Sequence, residues 1–351
     1  MGLTFEKQRL LNFYQYLIIM KIKEEYDVII IGAGPAGLEC AKTLINSNLS
    51  VLLINKDKVH KKVCCNYLPI RDLKILPKKI INHNFPFLEI DYHGIQTSFD
   101  FKNDKVYVTD RKIIFNEYST LIKKSKNVDY LGGIYVSRVF EDYIVLENGN
   151  KIKFKFIVGA DGSNSIVRNY LKIPSKKVLF AIQYPSKKNF KNIKVFFDNE
   201  VFPGGYGWIG AHKNYTVIGG GLLISESKNF KQNIENWIRK NKFDVKWKEI
   251  QSCILNCDYQ GYKFNNFFLA GDAAGLVSAL TGEGIYPALL SGRQVAYDLL
   301  GIKKNILKSW LINKRFQDYA AKFANKLPNS KIVLNLLIAI FGRTAYKFAL
   351  T

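Results

Sequence analysis

A chain of 351 residues, 48% hydrophobic and 23% charged, is long enough for about two domains and a sizeable core, which excludes a disordered or collagen-like protein. Its longest apolar stretches, residues 17–20 and 332–341, fall short of the roughly 20 residues that a spanning helix needs. The net charge of +23 either predicts anionic partners or reflects a lysine-, asparagine- and isoleucine-biased genome that charged every exposed face. The paired lysines (Lys61-Lys62, Lys187-Lys188, Lys303-Lys304) are scattered and no nucleic-acid module accompanies them, so lipid headgroups or a phosphorylated substrate are expected and nucleic acid is not. Five cysteines without a C-x-x-C pair make neither a disulfide framework nor a zinc site, which points to a reducing cytosol.

In chain order, residues 1–19 carry an apolar run broken by Asn12 and Gln15 and lack a small-residue cleavage site, a poor secretory signal. Met20 is read as the start of translation, with a membrane-apposed helix as the alternative for the residues before it. Val28-Ile29-Ile30-Ile31 is the continuous apolar run of a strand buried on both faces of a parallel sheet. Gly32-Ala33-Gly34-Pro35-Ala36-Gly37 follows, then helical residues 38–46 and a second strand at 51–54. This is a βαβ unit whose glycines serve a tight turn, the approach of backbone to a pyrophosphate, and helix-on-strand packing. Gly32, Gly34, Pro35, Ala36 and Gly37 are therefore cofactor-binding candidates. Where an acidic residue usually holds the ribose hydroxyls the chain has Asn55, which either bonds them without charge or merely ends the strand.

Two later segments repeat the form of a strand entering a polar glycine turn: residues 157–165, with Asp161 and Gly162, and residues 267–275, with Gly271 and Asp272. The second continues into Thr281-Gly282-Glu283-Gly284-Ile285, small residues that admit a cofactor to a helix N-terminus. Between these returns, residues 61–101 and 176–251 alternate apolar and polar, predicting an antiparallel sheet inserted into the α/β domain. The expected division is a discontinuous cofactor domain of residues 24–60, 102–175 and 258–300, a substrate domain of 61–101 and 176–257, and a helical region from 301 to 351. Gly219-Gly220-Gly221 is expected to end a strand without opening a helix, so no separate nicotinamide domain is expected, and any electron donor either docks transiently or is something other than NAD(P)H. Pro203-Gly204-Gly205-Tyr206-Gly207-Trp208 sets backbone and aromatic faces against something flat or apolar, or forms a hairpin with both aromatics in the core. The region from Ile302 has helical periodicity with basic residues and either covers a substrate cavity, lies in a membrane interface, or packs on the cofactor domain.

Together, residues 32–37, 159–168 and 269–284 resemble the three FAD motifs of the flavoprotein hydroxylase and geranylgeranyl reductase superfamily, over most of residues 26–300. The resemblance implies a Rossmann-like FAD-binding domain of the para-hydroxybenzoate-hydroxylase type. It places Asp272 at the ribityl chain, Asp161 and Gly162 near the pyrophosphate, Arg111 against FAD ahead of a helix, and Gly271, Gly282, Gly284 and Ile285 along the cofactor. Tyr206 and Trp208, with Gly205 before them and Gly219 and Gly221 after, are similar to the motif that borders the isoprenoid cavity in geranylgeranyl reductases. Gly210-Ala211 replaces that family's Phe-Pro and is expected to widen or reshape the cavity. Lys62-Val63-Cys64-Cys65 lies where the family carries Lys-x-Cys-Gly, which makes Cys64 the thiol facing the flavin; two cysteines filling a core corner is the alternative. The implied activity is FAD-dependent reduction of geranylgeranyl C=C bonds of membrane glycerophospholipids on the cytoplasmic membrane face, with Cys64 or a water it orients as the acid and NADPH or a ferredoxin as donor. A monooxygenase or halogenase of the same fold and a degenerate flavin-binding protein are the alternatives.

Overall fold

The computed structural model describes residues 22–58, 64, 66–68, 81–100, 106–109, 111–226 and 228–324. The extension at 1–19, Lys61 to Val63, Cys65, and the apolar stretch at 332–341 lie outside the described residues.

The first elements are β1 (Glu25–Ile31), α1 (Pro35–Thr43), β2 (Val51–Asn55), β3 (Tyr67–Leu68), β4 (Ile81–Phe85), β5 (Phe87–Tyr92), β6 (Ile95–Asp100), β7 (Val106–Thr109) and α2 (Arg111–Lys123). The chain continues through β8 (Val128–Gly132), β9 (Val136–Val139), β10 (Tyr143–Leu146), β11 (Lys151–Gly159), α3 (Ile166–Tyr170), β12 (Val178–Pro185), β13 (Ile193–Phe197), β14 (Tyr206–Ala211) and β15 (Thr216–Leu223). It ends with α4 (Phe230–Lys240), β16 (Gln251–Asn256), β17 (Lys263–Phe264), β18 (Phe267–Leu269), α5 (Ile285–Leu299) and α6 (Lys308–Ala324). Among the described residues no helix is long and apolar enough to cross a membrane.

The first sheet runs β17-β18-β11-β1-β2-β8, parallel from β18 to β8, with β10 and β9 added antiparallel beyond β11. Its apolar run is continuous because successive residues serve different cores. Val28 and Ile30 pack with Leu38 of α1, Tyr118 of α2 and Leu289 of α5. Ile29 and Ile31 pack with Leu52, Ile144 and Trp310 on the other face. The first helix starts at Pro35, three residues earlier than its apolar period indicates, because proline at the first helical position loses no hydrogen bond and has its φ already set.

The second sheet runs β16-β12-β15-β14-β13-β5-β6. Its pairings are antiparallel, as the alternation predicts, except β13 on β5, which is parallel. The strands come from chain segments about a hundred residues apart, so no hairpin dictates their direction. Gly219-Gly220-Gly221 lies inside β15, not at its end, held between β12 and β14. The reason is Phe202: a Cβ at Gly220 or at Gly207 would sit 2.4 Å from its buried ring. Phe202, Ile209, Leu222 and Trp237 of α4 make the core on that face, which leaves Tyr206, Trp208, Gly219 and Gly221 on the other. A third sheet, β3-β7-β4, is small, and Tyr67 of β3 donates its hydroxyl hydrogen to Ala211 O, 2.8 Å away at the end of β14.

Candidate functional site

The ends of β1, β2 and β11 meet where Gly32 N donates to Ile54 O at 2.7 Å and Ala160 N to Ile31 O at 2.8 Å. Gly32 has φ +102°, and a Cβ on it would lie 2.4 Å from Ala160 O, so only glycine serves this turn. Gly37 sits against it, its missing Cβ 1.8 Å from Gly32 O. Gly34 differs: it caps the N-terminus of α1, with Pro35 and then Ala36 opening the helix, and nothing lies within 4 Å of where its Cβ would be. The N-terminus of α1 thus has open space beside Gly34, no side-chain cap and no acidic residue in the first turn. Asn55, at the position considered for the ribose, also bonds within the protein: its Oδ1 accepts from Ala33 N at 3.1 Å and its Nδ2 donates to Asp57 O at 2.5 Å, so the amide clamps the glycine turn.

Asp161 lies in the turn after β11, where its Oδ2 accepts from Ile166 N at 2.7 Å. Its Oδ1 is buried, and burial, outweighing hydrogen bonds from Ser165 and the backbone, raises its pKa above the ordinary carboxylate value. Gly162 follows in a left-handed conformation. Ser163, which sequence reasoning missed, ties three parts together: its Oγ donates to Ile254 O (2.7 Å), accepts from Asn256 N (3.1 Å), and lies 3.3 Å from Asp272 Oδ2. Arg168 pins the same region by donating to Ala273 O at 3.1 Å and Asp258 O at 2.8 Å. Its position in the 159–168 motif is the signal that could have found it.

Gly271 lies against α1 and α5, within 3.2 Å of Ala36 Cβ and 3.3 Å of Ala288 Cβ for a Cβ built on it, and its N donates to Ser291 Oγ at 2.9 Å. Gly282 turns the chain into Gly284, the N-terminal cap of α5, and Ile285 enters the core. The carboxylate of Asp272 stands before that helix end, its Oδ1 3.6 Å from where a Gly284 Cβ would be. The three glycine turns therefore converge. Arg111 opens α2 with its Nε buried and without a partner among the described residues, a donor fitted to an acceptor that none of those residues supplies.

The aromatic pair reaches this cluster. Tyr206 donates its hydroxyl hydrogen to Thr281 O at 2.6 Å, and its ring meets Trp208 edge-on at 5.9 Å. Trp208 lies beside Gly221, and its Nε1 is buried without a partner among the described residues. Gly205 is a close-approach position, its missing Cβ 1.8 Å from Gly221 O, which assigns it to bringing β14 against β15. At Gly210 a Cβ would lie 3.3 Å from the Tyr67 hydroxyl, so Tyr67 takes up space that the small residues Gly210 and Ala211 release. Cys64 is half-buried beside the core of α1, α2 and α5, its Sγ accepting from Asn66 N at 3.3 Å. Among the described residues no group of His, Cys, Asp and Glu could hold a metal.

Three features fit FAD: an open helix N-terminus for the pyrophosphate, a carboxylate before a second helix for hydroxyls, and a buried arginine nitrogen with no acceptor among the described residues. Fold and site define an FAD-dependent oxidoreductase. Residues 26–227 match the pyridine nucleotide-disulphide oxidoreductase family, and the chain belongs to it. A digeranylgeranylglycerophospholipid reductase of Methanocaldococcus jannaschii is 26% identical over 307 residues, 78% of this chain and 76% of the relative. A geranylgeranyl diphosphate reductase of Rhodobacter capsulatus is 25% identical over 304 residues, 80% and 76% of the two chains. The solved structure of a geranylgeranyl bacteriochlorophyll reductase-like protein from Thermoplasma acidophilum superposes with a TM-score of 0.73 at 18% identity, covering 91% of this chain and 92% of that one.

Proposed function

We propose that this protein reduces C=C bonds of geranylgeranyl chains, those of membrane glycerophospholipids, working at the cytoplasmic face of the membrane. The observation that carries the reading is the bond from Tyr206 to Thr281 O, which ties the aromatic face of the second sheet to the turn that opens α5 beside Asp272. Gly32, Gly34, Gly37, Arg111, Asp161, Asp272 and Gly284 would hold FAD, which once reduced by NADPH or a ferredoxin supplies a hydride. A hydride and a proton add across the double bond, and the two electrons come from the donor. An isolated trisubstituted alkene accepts hydride poorly, so protonation leads and positive charge builds at the tertiary carbon. The faces of Tyr206 and Trp208 stabilise that charge and hold the chain, and the small Gly219 and Gly221 leave those rings uncovered on their side. Cys64 Sγ–H, or a water it orients, is the proton source in this reading.

The test is anaerobic. The purified protein is reduced with dithionite and mixed with a geranylgeranylated phospholipid. Reoxidation of the flavin, with two mass units gained per reduced double bond, supports the reading, and Cys64→Ala then tests the acid. A flavin that stays reduced until air is admitted refutes it and favours the monooxygenase or halogenase alternative. A colourless, folded protein favours a degenerate binder.

A further inference from the structure

α6 is amphipathic in the reverse sense. Trp310, Asn313, Lys314 and Gln317 are buried. Lys314 Nζ donates to Cys257 O and to Val277 O, both at 2.8 Å, and pairs with Asp318 at 3.1 Å, while Trp310 Nε1 donates to Leu276 O at 3.2 Å. The outward face instead carries Ile312, Phe316 and Tyr319, 56%, 49% and 64% exposed, at the spacing of one helical stripe. Single exposed apolar residues need no explanation, but three large ones in a row mark a contact surface.

The charge around the stripe says what it contacts. Lys308 and Arg315 are exposed on the same helix and flank the stripe by helical spacing, and Lys303 and Lys304 are exposed in the segment that leads into α6. Asp318 is the one acid between residues 302 and 319, and Lys314 occupies it. A second copy of the chain would bring the same cations against these, so self-association through this face is opposed. We propose that this face of α6 docks on an anionic bilayer, with Ile312, Phe316 and Tyr319 in the headgroup and acyl boundary and Lys308 and Arg315 against the headgroups. The inference rests on the membrane-lipid reading above and extends it: the helix that meets the bilayer is bonded on its other side to Leu276 and Val277, which follow the Asp272 turn.

The test is co-sedimentation of the full chain with vesicles of phosphatidylcholine and phosphatidylglycerol, against vesicles of phosphatidylcholine alone. The protein is expected to sediment with the anionic vesicles and to be released by salt. Ile312→Ser/Phe316→Ser/Tyr319→Ser should weaken binding about a hundredfold or more, and Lys308→Ala/Arg315→Ala about fivefold per cation removed. The flavin spectrum of each variant reports that its fold is kept. Absence of wild-type sedimentation, or unchanged binding of the triple-serine variant, overturns the proposal. A wild-type dimer that the triple-serine variant dissolves overturns it in favour of a second copy. Prenyl reduction is scored separately on detergent-dissolved substrate, so a reductase that ignores vesicles sinks only the docking face, and a vesicle binder without reductase activity sinks only the substrate assignment.

Discussion

Replacing Gly34 by alanine separates cofactor binding from folding. The backbone there, φ −73° and ψ 179°, suits any residue, and an added Cβ meets nothing within 4 Å. Two effects on the apoprotein offset one another: fewer unfolded conformations stabilise by about 0.4–1 kcal/mol, and a poorer N-cap costs a similar amount. The apoprotein Tm should therefore move by no more than about 2 °C. The methyl group, however, projects into the open approach to the first N–H groups of α1. An anion at such an end is worth up to about 2 kcal/mol, so displacing the pyrophosphate should raise the FAD Kd by up to about thirtyfold. Titration of apoprotein with FAD, followed by flavin fluorescence quenching, reads this directly. Gly37→Ala is the contrast, because its Cβ would meet Gly32 O at 1.8 Å and the turn itself must open, so its apoprotein Tm should fall. A Gly34→Ala protein that keeps FAD affinity within about twofold refutes the placement of the pyrophosphate at α1.

Tyr206→Phe keeps the ring and deletes the bond to Thr281 O, costing about 1 kcal/mol; an anaerobic assay of prenyl reduction should show kcat/KM lowered about fivefold, and no change refutes the tie between the two sheets. The fully buried Glu39 of α1 takes Arg293 of α5 (Nε at 2.7 Å) and Lys42 (3.0 Å) as partners, so Arg293→Ala should cost about 3–5 kcal/mol in urea unfolding by stranding most of a buried charge. Asp161 has its pKa raised by burial, so in the apoprotein its contribution to stability is complete below the ordinary carboxylate range and is lost as pH rises through the raised value. Asp161→Asn removes that loss while keeping an acceptor for Ile166 N, so apo Asp161→Asn should match the wild type in acid and exceed it at pH 7 in thermal unfolding.

The cofactor half of the site was legible because its signals are local. Three glycines directly after a four-residue apolar run leave little besides a βαβ turn, and the strand, turn and helix follow within twenty residues. The second sheet hid more. The parallel pairing of β13 with β5 joins Val195 to Ile90, and nothing near either residue announces the other. Gly219-Gly220-Gly221 read as a strand end because the ring that makes room necessary, Phe202, belongs to a different segment. Asn55 was recognised as unusual, but its clamp on Ala33 and Asp57 depends on how the β2 end curls back beneath the turn. Helical period identified α6, yet period does not tell which side meets the core, and here buried carbonyls drew the polar residues inward.

The glycines of β14 and β15 also bear on where substrate shape is set. Gly207 and Gly220 are spent on Phe202, on the face that α4 covers, so enlarging them acts on packing. Gly219 and Gly221 belong to the face of Tyr206 and Trp208, where β14 and β15 pair Trp208 with Gly219 and Tyr206 with Gly221. Gly219 is confined by Ile182 O, 2.3 Å from its missing Cβ, whereas the nearest atoms to a Cβ at Gly221 lie 3.5 Å away, one of them on Trp208. A methyl group at Gly221 therefore meets the indole at ordinary contact distance without straining the sheet. Of the four glycines, it is the position where the aromatic wall can be altered while the fold is kept.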